Sequence, residues 1–413
     1  MVRSTVAHVD LAALQANFRA IQAFLAEGGP EGPPLRVRRA EPSGPAAPPR
    51  IIAVVKANAY GHGAERVALA LEEAGADLLA CADIEEGVAL RRAGVRVPVL
   101  VFGALSVSDL DGLFEYALTP TISTPAAARA VQEAAAKHRV RLGYHLKIDT
   151  GMNRLGFRHD NLRRTLPDLL GSANLRLEAI YTHFSTADMP DSPLFHDQRI
   201  RFEMAASVVD ELAARQAPDV GLQEQDTTGG RVGGRRLPRH ACNSAALLRD
   251  SRVWYDMVRP GLLLYGIVPP PIASTIPLQP VMSLTSRVVA VKGLRPGEGV
   301  GYGRTYQAET PRSIAVVPAG YADGLDTRLG GRGQVLIRGR RVPIVGAVSM
   351  DMLTVDVTGL DVEPGDQVVI IGRQGTESWQ QIDAREMAAA IGTIPWEIVC
   401  RIGARIERQY SAK

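Results

Sequence analysis

The chain begins by alternating short apolar runs with segments whose apolar residues recur at helical spacing. Asp10 can cap a first helix, because the residues after it form one apolar face. The residues of that face are Leu11, Leu14, Phe18, Ile21 and Leu25. Later helix boundaries are marked by the N-cap pair Thr124 and Pro125 and by the C-terminal glycines Gly75 and Gly94.

Eight apolar runs of strand length alternate with these helical segments. The runs are Ile51 to Val55, Leu78 to Ala80, Val99 to Phe102, Leu118 to Ser123, Leu142 to Ile148, Leu175 to Tyr181, His240 to Cys242 and Trp254 to Val258. Strands that alternate with helices in this way predict an α/β fold, a parallel (β/α)8 barrel of the TIM type. Its functional site is expected at the C-terminal ends of the strands.

From about Thr275 the pattern changes to alternating apolar and polar residues broken by tight turns, which predicts a mostly antiparallel C-terminal β domain. The predicted strands are Leu284 to Val291, Ser313 to Val317, Gln334 to Ile337, Val342 to Val345, Leu353 to Val357 and Gln367 to Ile371, and a short helix is predicted over Ala384 to Ala390. We therefore assign residues 11–272 to the barrel, and residues 273–413 with residues 1–10 to the β domain.

Two segments interrupt the barrel pattern, near residues 28–50 and 219–239. Both are rich in glycine and arginine, the first in proline as well, and neither has a usable periodicity, so we predict exposed insertions. The arginines of the second segment also suggest RNA binding. No aromatic residues interleave with them, however, which favours a solvated loop.

Composition excludes several classes of protein. Hydrophobic residues make up 46% of the 413 residues and charged residues 22%, values that are typical of a globular protein. A net charge of +3 is too small for its size to indicate a nucleic-acid partner. The three cysteines lack the spacing of a metal site, and neither a secretory leader nor a membrane span is visible. We expect a cytoplasmic protein with no metal, nucleic acid or membrane partner.

Lys56 is the first residue with candidate chemistry. It ends the strand run Ile51 to Val55 and precedes a Gly-rich turn, which places an amine where a buried strand leaves the core. A lysine at this position suggests a Schiff base with a carbonyl cofactor such as pyridoxal phosphate. For the lysine alone, a strand-end side chain that extends its ammonium into water is the better interpretation, and the later motifs reverse that preference.

The segment VVKANAYGHG, from Val54 to Gly63, resembles the cofactor-lysine motif of the alanine racemases. The resemblance extends over residues 5–410 outside the two insertions. It implies a pyridoxal phosphate enzyme that interconverts L-alanine and D-alanine and supplies D-alanine for peptidoglycan. It also implies a homodimer in which the β domain contributes to the active site of the other subunit.

Residues for the phosphate and the pyridine ring follow other strands. Because barrels commonly bind phosphate after the seventh and eighth strands, we expect the hydroxyls of Tyr60 and Ser244 and the amides of Gly261 and Leu262 to hold the phosphate. The segment Met257 to Gly261 resembles the family motif whose arginine, here Arg259, faces the pyridine nitrogen. Arginine donates a hydrogen bond there but gives up no proton, so the ring is a weaker electron sink than a pyridinium.

Racemisation removes a proton from one face of a carbon and returns one to the other, so two bases are expected. Lys56 can serve one face. By resemblance, Tyr302 from the other subunit serves the opposite face, and His183 links Tyr302 to Arg259. Without that resemblance, a surface tyrosine is an equally good interpretation of Tyr302, and a core histidine is the better interpretation of His183. His62 is interpreted as structural.

The segment Lys147 to Gly156 resembles the family's most specific motif. The resemblance implies that Arg154 binds the substrate carboxylate and that Lys147 matches a lysine that is often carbamylated. An ion-paired structural role is the alternative for Arg154. The motif Ser349–Met350–Asp351 resembles a loop whose Met350 amide binds substrate across the dimer, and Tyr321 resembles the residue that narrows the entrance.

Several positions depart from the family pattern. Trp396 replaces a tyrosine that donates to the phosphate, Ala347 replaces an arginine, Ser349 replaces a cysteine, and the arginine near Tyr321 is displaced to Arg328. These changes leave a broad-specificity amino-acid racemase open as an alternative to a dedicated alanine racemase. A non-catalytic pyridoxal phosphate carrier is a second alternative, but it would need neither Tyr302 nor the β domain, so both features count against it. A decarboxylase fits less well, since its ring nitrogen usually pairs with an acid.

Overall fold

The computed structural model describes residues 4–29, 47–105, 109–216, 236–375 and 378–411. Most of both predicted insertions lies outside these residues. The strands are β1 (Val6–Asp10), β2 (Arg50–Val54), β3 (Leu78–Cys81), β4 (Val99–Val101), β5 (Thr119–Ile122), β6 (Leu142–Asp149), β7 (Phe157–Arg158), β8 (Leu175–Tyr181), β9 (Arg239–Cys242), β10 (Met257–Val258), β11 (Met282–Arg287), β12 (Ala290–Leu294), β13 (Gly299–Val300), β14 (Tyr306–Gln307), β15 (Arg312–Val317), β16 (Gln334–Ile337), β17 (Arg340–Pro343), β18 (Leu353–Asp356), β19 (Gln367–Gln374), β20 (Gln380–Ile382) and β21 (Glu407–Ser411).

The helices lie between the barrel strands and near the C-terminus. They are α1 (Leu11–Ala26), α2 (Lys56–Tyr60), α3 (Ala64–Glu73), α4 (Ile84–Arg92), α5 (Asp111–Glu115), α6 (Pro125–Lys137), α7 (Leu162–Thr165), α8 (Pro167–Leu170), α9 (Leu194–Gln216), α10 (Ser244–Arg249), α11 (Ala384–Ile391) and α12 (Pro395–Cys400). Short 3-10 helices form at Ser251–Val253, Leu262–Tyr265, Tyr302–Arg304, Tyr321–Asp323 and Thr327–Leu329. Among the described residues, no helix combines the length and the apolar character needed to cross a membrane.

Eight parallel strands close into a barrel, as predicted. The order around the barrel is β5-β4-β3-β2-β10-β9-β8-β6, and pairing of β5 with β6 closes it. The interior is filled by side chains from alternate strand positions, so it is a packed core. Ile52, Ala80, Leu100, Ala179 and Met257 form that inner layer.

The helix boundaries also follow the sequence signals. The Asp10 carboxylate accepts a hydrogen bond from the Ala13 amide at 2.9 Å, which caps α1. Thr124 caps α6 in the same way by accepting from the Ala127 amide at 3.1 Å. Both side chains satisfy an amide that the first helical turn leaves without a partner.

The eighth barrel strand is shorter than predicted. The prediction began it at Trp254, but only Met257–Val258 pairs with neighbouring strands. Trp254 has helical backbone angles after the 3-10 helix at Ser251–Val253, and its indole donates to the Leu247 carbonyl at 3.0 Å. Because Trp254 packs against Phe24 of α1 with ring centroids 5.8 Å apart, it belongs to the outer layer.

The C-terminal part is mostly antiparallel, as predicted. Its larger sheet has the order β17-β16-β19-β11-β1-β21, and its smaller sheet has the order β12-β15-β18. Strand β1 lies between β11, to which it is antiparallel, and β21, to which it is parallel. The limits of the two domains stay predictions.

Two predicted strands of this part are wrong in their bounds. The run Leu284 to Val291 forms β11 and β12, which belong to different sheets. The change occurs at Val288 and Val289, because the Val288 amide donates to Asp366 and the Val289 amide donates to Val316 of the other sheet. The run Val342 to Val345 corresponds to Arg340–Pro343, where the strand ends at a proline.

Candidate active site

Lys56 lies at the mouth of the barrel, directly after β2. The five buried residues that precede it, Ile51 to Val55, anchor its backbone in the barrel, and its side chain is half-buried. Burial holds the pKa of Lys56 below the ordinary lysine value, and the neighbouring charge of Arg154 lowers it further. The amine is therefore easier to deprotonate than a surface lysine.

The residues after Lys56 form a left-handed turn that is unusual for residues other than glycine. Ala57, Asn58, Ala59 and Tyr60 have φ values of 53°, 51°, 54° and 52°. Each residue in this conformation costs about 1 kcal/mol or more, so surrounding contacts must hold the turn. Gly61 follows with a φ of 82°, and a Cβ there would lie 2.1 Å from the Val399 carbonyl oxygen of α12.

Three further cationic residues lie close to Lys56. Burial, followed by the charges of Arg154 and Arg259, lowers the pKa of Lys147 on β6 to about 8. Arg154 is exposed on the loop after β6. The only acid that acts on Lys147 among these influences is Asp149, which raises its pKa. The mouth of the barrel is therefore a strongly cationic site that suits an anionic ligand.

The loop that carries Arg154 is shaped by one carboxylate. Asp149 at the end of β6 accepts hydrogen bonds from the amides of Gly151, Met152 and Asn153 at 2.9, 3.0 and 3.1 Å. The aspartate side chain thus replaces the backbone partners that an irregular loop lacks. This turn places Arg154 near Lys56 and Lys147.

Arg259 at the end of β10 is buried, and its guanidinium is held on several sides. One terminal nitrogen donates to the carbonyls of Thr182 and Ala241 at 2.8 and 3.0 Å, and lies 3.3 Å from the Nδ1 of His183. Burial lowers the pKa of Arg259 to about 10, which still leaves the group protonated at neutral pH. Burial and the charge of Arg259 hold the pKa of His183 well below its usual value, so the ring is neutral.

A buried pair of histidines extends the Arg259 contacts, and sequence reasoning missed it. The other terminal nitrogen of Arg259 lies 2.7 Å from the Nδ1 of His240, and the Nε2 of His240 lies 2.9 Å from the Nδ1 of His145. Because a guanidinium only donates, the Nδ1 of His240 must accept, and its Nε2–H donates to His145. His240 also stacks on Tyr181, with ring centroids 4.6 Å apart. Burial lowers the pKa of both histidines, that of His145 to about 3.

Several of the predicted phosphate residues lie close to one another after β9 and β10. Asn243 caps α10, and the Oγ of Ser244 accepts from the Gly261 amide at 3.0 Å. A Cβ on Gly261 would lie 2.4 Å from the Tyr60 hydroxyl, so only glycine lets these two segments approach. Leu262 begins the next 3-10 helix. Hydroxyls and amides collected in this way fit a phosphate group, and the amine of Lys56 fits an aldehyde.

The predicted residues of the β domain form a separate group. Tyr302 lies between Gly301 and Gly303, whose φ values are 68° and 69°, and its side chain is 79% exposed. The Tyr321 amide donates to Ser349 at 3.0 Å, and the exposed Met350 lies next in the same loop. Within the described part of one chain, the backbone hydrogen bonds of Tyr321 and Met350 connect loops of the β domain to each other, and none reaches the lysine half of the site.

The positions that depart from the family pattern have different surroundings. Trp396 is half-buried in the first turn of α12, the helix that packs against the turn after Lys56. Arg328 donates from its Nε to Asp326 at 2.9 Å and from a terminal nitrogen to the Ile391 carbonyl at 3.1 Å. Those contacts tie Arg328 to α11. The Ser349 hydroxyl donates to the Met352 carbonyl at 2.8 Å and so closes its own loop.

Comparison with known proteins gives a consistent result over the whole chain. The family model described as alanine racemase, N-terminal domain, matches residues 37–220 and 226–269. The model described as alanine racemase, C-terminal domain, matches residues 281–410. The alanine racemase of Halothermothrix orenii is 37% identical over 415 residues, an alignment that covers 100% of this chain and 98% of the relative.

Solved structures give the same match. The crystal structure of alanine racemase from Streptomyces lavendulae superposes with a TM-score of 0.84 at 30% identity, covering 100% of this chain and 98% of that chain. The alanine racemase from Bartonella henselae, solved with covalently bound pyridoxal phosphate, has a TM-score of 0.78 at 25% identity. That alignment covers 99% of each chain.

Proposed function

The chain belongs to the alanine racemase family, and from that membership we propose that Lys56 and Tyr302 act as bases on opposite faces of the substrate carbon. The protein is a pyridoxal phosphate-dependent isomerase that racemises alanine. D-alanine made in this way would serve peptidoglycan synthesis. One observation supports the residue assignment above the others. The Lys56 amine, whose pKa is lowered, lies near the cluster of Tyr60, Ser244 and Gly261 and near several cations.

Pyridoxal phosphate, when bound, supplies an aldehyde for the Lys56 amine and a ring that draws electrons from the substrate carbon. The hydroxyls of Tyr60 and Ser244 and the amides of Gly261 and Leu262 would hold its phosphate. Trp396 is a further donor to that group, since indole carries one N–H.

Arg259 would face the ring nitrogen as a hydrogen-bond donor. Its pKa of about 10 means that it keeps its own proton at neutral pH. Because Arg259 does not protonate the ring nitrogen, the ring would be only a moderate electron sink. Side reactions at the substrate carbon would then be restrained.

A hydrogen bond from His183 would help Tyr302 to act as a base. Its Nδ1 faces a guanidinium nitrogen of Arg259, which can only donate, so the His183 proton sits on Nε2. An Nε2–H directed at the Tyr302 oxygen would stabilise the phenolate, which is the form that acts as a base. Tyr302 is exposed in a single chain, which supports a homodimer in which a second copy brings it to the site.

The substrate carboxylate has two candidate partners, Arg154 and the Met350 amide, with Tyr321 narrowing the entrance. Arg154 needs a neighbouring anion to hold it, yet Lys147 is a cation when protonated. A lysine with a pKa of about 8 has neutral amine available, and neutral amine reacts with carbon dioxide to give a carbamate. Carbamylation would turn Lys147 into an anion that orients Arg154.

Replacing Tyr302 by phenylalanine tests this function, because it removes one base and keeps the ring. We expect racemisation to fall by about a hundredfold or more, while the bound cofactor keeps its absorbance. In a protein that only carries the cofactor, Tyr302→Phe would cause no such loss of racemisation. The control is Tyr306→Phe in the same loop, whose hydroxyl lies 3.3 Å from Asp356 and away from the proposed site. Unchanged racemisation by Tyr302→Phe would exclude the two-base assignment.

A broader amino-acid racemase is the second candidate. The observation that favours it is Trp396, which brings a larger ring than tyrosine to the helix beside the Lys56 turn. Activity on serine, lysine and arginine relative to alanine separates the two candidates.

A further inference from the structure

Three backbone amides from two strand ends converge on the carboxylate of Glu86, in the first turn of α4. One carboxylate oxygen accepts from the Ala57 amide at 2.7 Å and from the Asn58 amide at 3.4 Å. The other oxygen accepts from the Ala82 amide at 2.8 Å. Glu86 thus joins the turn after Lys56 to the end of the neighbouring strand β3.

The two amides on the Lys56 side find this acceptor at the start of the left-handed turn. Ala57 and Asn58 are the first two residues of that turn with positive φ. Both residues are exposed, so water can also satisfy their amides, but a hydrogen bond to a carboxylate is stronger than one to a neutral acceptor. The carboxylate therefore stabilises a turn that is otherwise unfavourable.

The position of Glu86 is itself fixed. Asp83 caps α4 and accepts from the Glu86 amide at 2.8 Å. Both carboxylate oxygens of Glu86 are engaged, and its side chain is half-buried. A carboxylate held at both oxygens has little freedom to rotate, so it can define where the Lys56 backbone lies.

Glu86 also brings negative charge to a cationic site. Burial, Arg154 and Arg259 lower the pKa of Lys56, whereas Cys400 and Glu86 act in the opposite direction. The hydrogen bonds of Glu86 fix the turn that follows Lys56, and the charge of Glu86 raises the pKa of the Lys56 amine.

We infer that Glu86 is a positioning residue for Lys56: it holds the left-handed turn that aims the lysine and balances the cations around it. This inference rests on the proposed function, in which Lys56 serves one face of the substrate carbon and Tyr302 serves the other. Glu86 should therefore affect proton transfer on the lysine face more than on the tyrosine face.

The test compares Glu86→Gln with Glu85→Gln in the holoenzyme. Glu85 lies in the same helical turn and is exposed, so its change removes the same charge from the same helix. Glutamine at position 86 has a single acceptor oxygen, so it cannot accept from the Ala57 amide and from the Ala82 amide with separate oxygens as Glu86 does. Glu86→Asp keeps the charge but shortens the reach, and provides a second variant if Glu86→Gln folds poorly.

Two measurements are made on each variant. The first is amide hydrogen exchange of the peptide that contains Ala57 and Asn58, which we expect to become about tenfold faster in Glu86→Gln and to stay unchanged in Glu85→Gln. The second is the kinetic isotope effect with α-deuterated L-alanine and with α-deuterated D-alanine. When one proton transfer becomes slower, the isotope effect rises for the enantiomer that it deprotonates and falls for the other. We expect the ratio of the two effects to change by about twofold or more in Glu86→Gln.

The outcomes separate this inference from the proposed function. If Glu86→Gln exchanged the Ala57 and Asn58 amides faster but left the isotope-effect ratio unchanged, Glu86 would stabilise the turn without affecting proton transfer. That result would overturn the inference. Unchanged exchange would overturn it as well. If Lys56→Ala racemised alanine as fast as the unchanged enzyme, the proposed function itself would fail, whatever the Glu86 variants did.

Discussion

Lys147 shows how strongly one side chain responds to the barrel mouth. It lies on β6 with its ammonium 5.7 Å from the centroid of the Tyr181 ring, and the cations Arg154 and Arg259 lie near it. Burial and these charges favour the neutral amine. A surface lysine near neutral pH is almost entirely protonated, whereas Lys147, with a pKa of about 8, has a neutral fraction of about a tenth at pH 7.

We predict that Lys147 forms a carbamate in the presence of bicarbonate, increasingly as the pH rises toward 8. The carbamate needs the neutral amine, which gains population as the pH approaches the pKa. Carbon-13 NMR with labelled bicarbonate measures it as a carbamate signal that Lys147→Gln removes. Lys292, exposed on β12, offers the control Lys292→Gln, which should leave the signal in place. No signal at pH 8 would contradict the prediction.

Single residues in motifs could be predicted from the sequence, but residues that act through the closed barrel could not. Lys56 and Arg259 end strands and stand in recognisable segments. His145 and His240 meet only because β6 and β9 bring their inward faces together. One signal was available: His145 and Lys147 are two positions apart on a strand, so they point to the same side. The roles of all these residues stay predictions.

Among the elements, the turn after Lys56 depends on its neighbour α12. The two are in contact through Gly61, where a Cβ would overlap the Val399 carbonyl oxygen. Gly61 also has positive φ, so two separate costs apply to any larger residue there.

We predict that Gly61→Ala lowers the free energy of unfolding by about 2 kcal/mol or more and weakens cofactor retention. The control is Gly75→Ala, because Gly75 has a φ of 98° with nothing near its added Cβ. That variant should lose only the backbone cost of about 1 kcal/mol. Urea unfolding of both variants provides the comparison. Equal losses would mean that the contact with α12 carries no energy.

Elements with strong periodicity were predicted well, and those decided by sheet partners were not. The capped helix α1 and the lysine strand needed only local signals. The division of Leu284 to Val291 into β11 and β12 arises because successive amides find acceptors in two different sheets. The apolar pattern of the run contains no sign of that choice.

For the whole molecule, buried histidines set the response to acid. Burial lowers the pKa of His62 to about 4 and that of His145 to about 3, from an ordinary value of 6.5. Both are neutral in the folded protein, while the unfolded chain takes up protons as the pH falls below about 6.5. Their contribution to stability is therefore complete above that pH and is lost as the pH falls toward the folded values.

We predict that the free energy of unfolding falls between pH 6.5 and pH 5, by about 1.4 kcal/mol per pH unit for each such histidine. His62→Gln should lower the overall stability and reduce this slope by one histidine's share. Urea unfolding at pH 7, 6 and 5 with saturating cofactor measures both quantities. A slope that His62→Gln leaves unchanged would mean that His62 takes up its proton as readily in the folded protein as in the unfolded chain.

A shared site predicts complementation between two inactive variants. If Tyr302 serves the Lys56 of a second copy, a mixed dimer of Lys56→Ala and Tyr302→Phe contains one intact site and one doubly defective site. Random mixing should restore about a quarter of the original activity. Co-expression with two different affinity tags provides the mixed dimers.

The control mixes Lys56→Ala with Arg259→Ala, two changes in the barrel half. Every mixed dimer then lacks an intact barrel site, so no activity should return. Recovery in this control, or none in the first mixture, would contradict a site made from two copies.

Strand β1 has a consequence for how the protein is made. It leaves the ribosome before the barrel strands, yet its two neighbours in the sheet, β11 and β21, are synthesised only after the barrel. We expect the barrel to assemble while β1 is still without a partner. The larger β sheet should then be completed only after β21 has been synthesised, and the nascent chain should be most prone to aggregate just before that point.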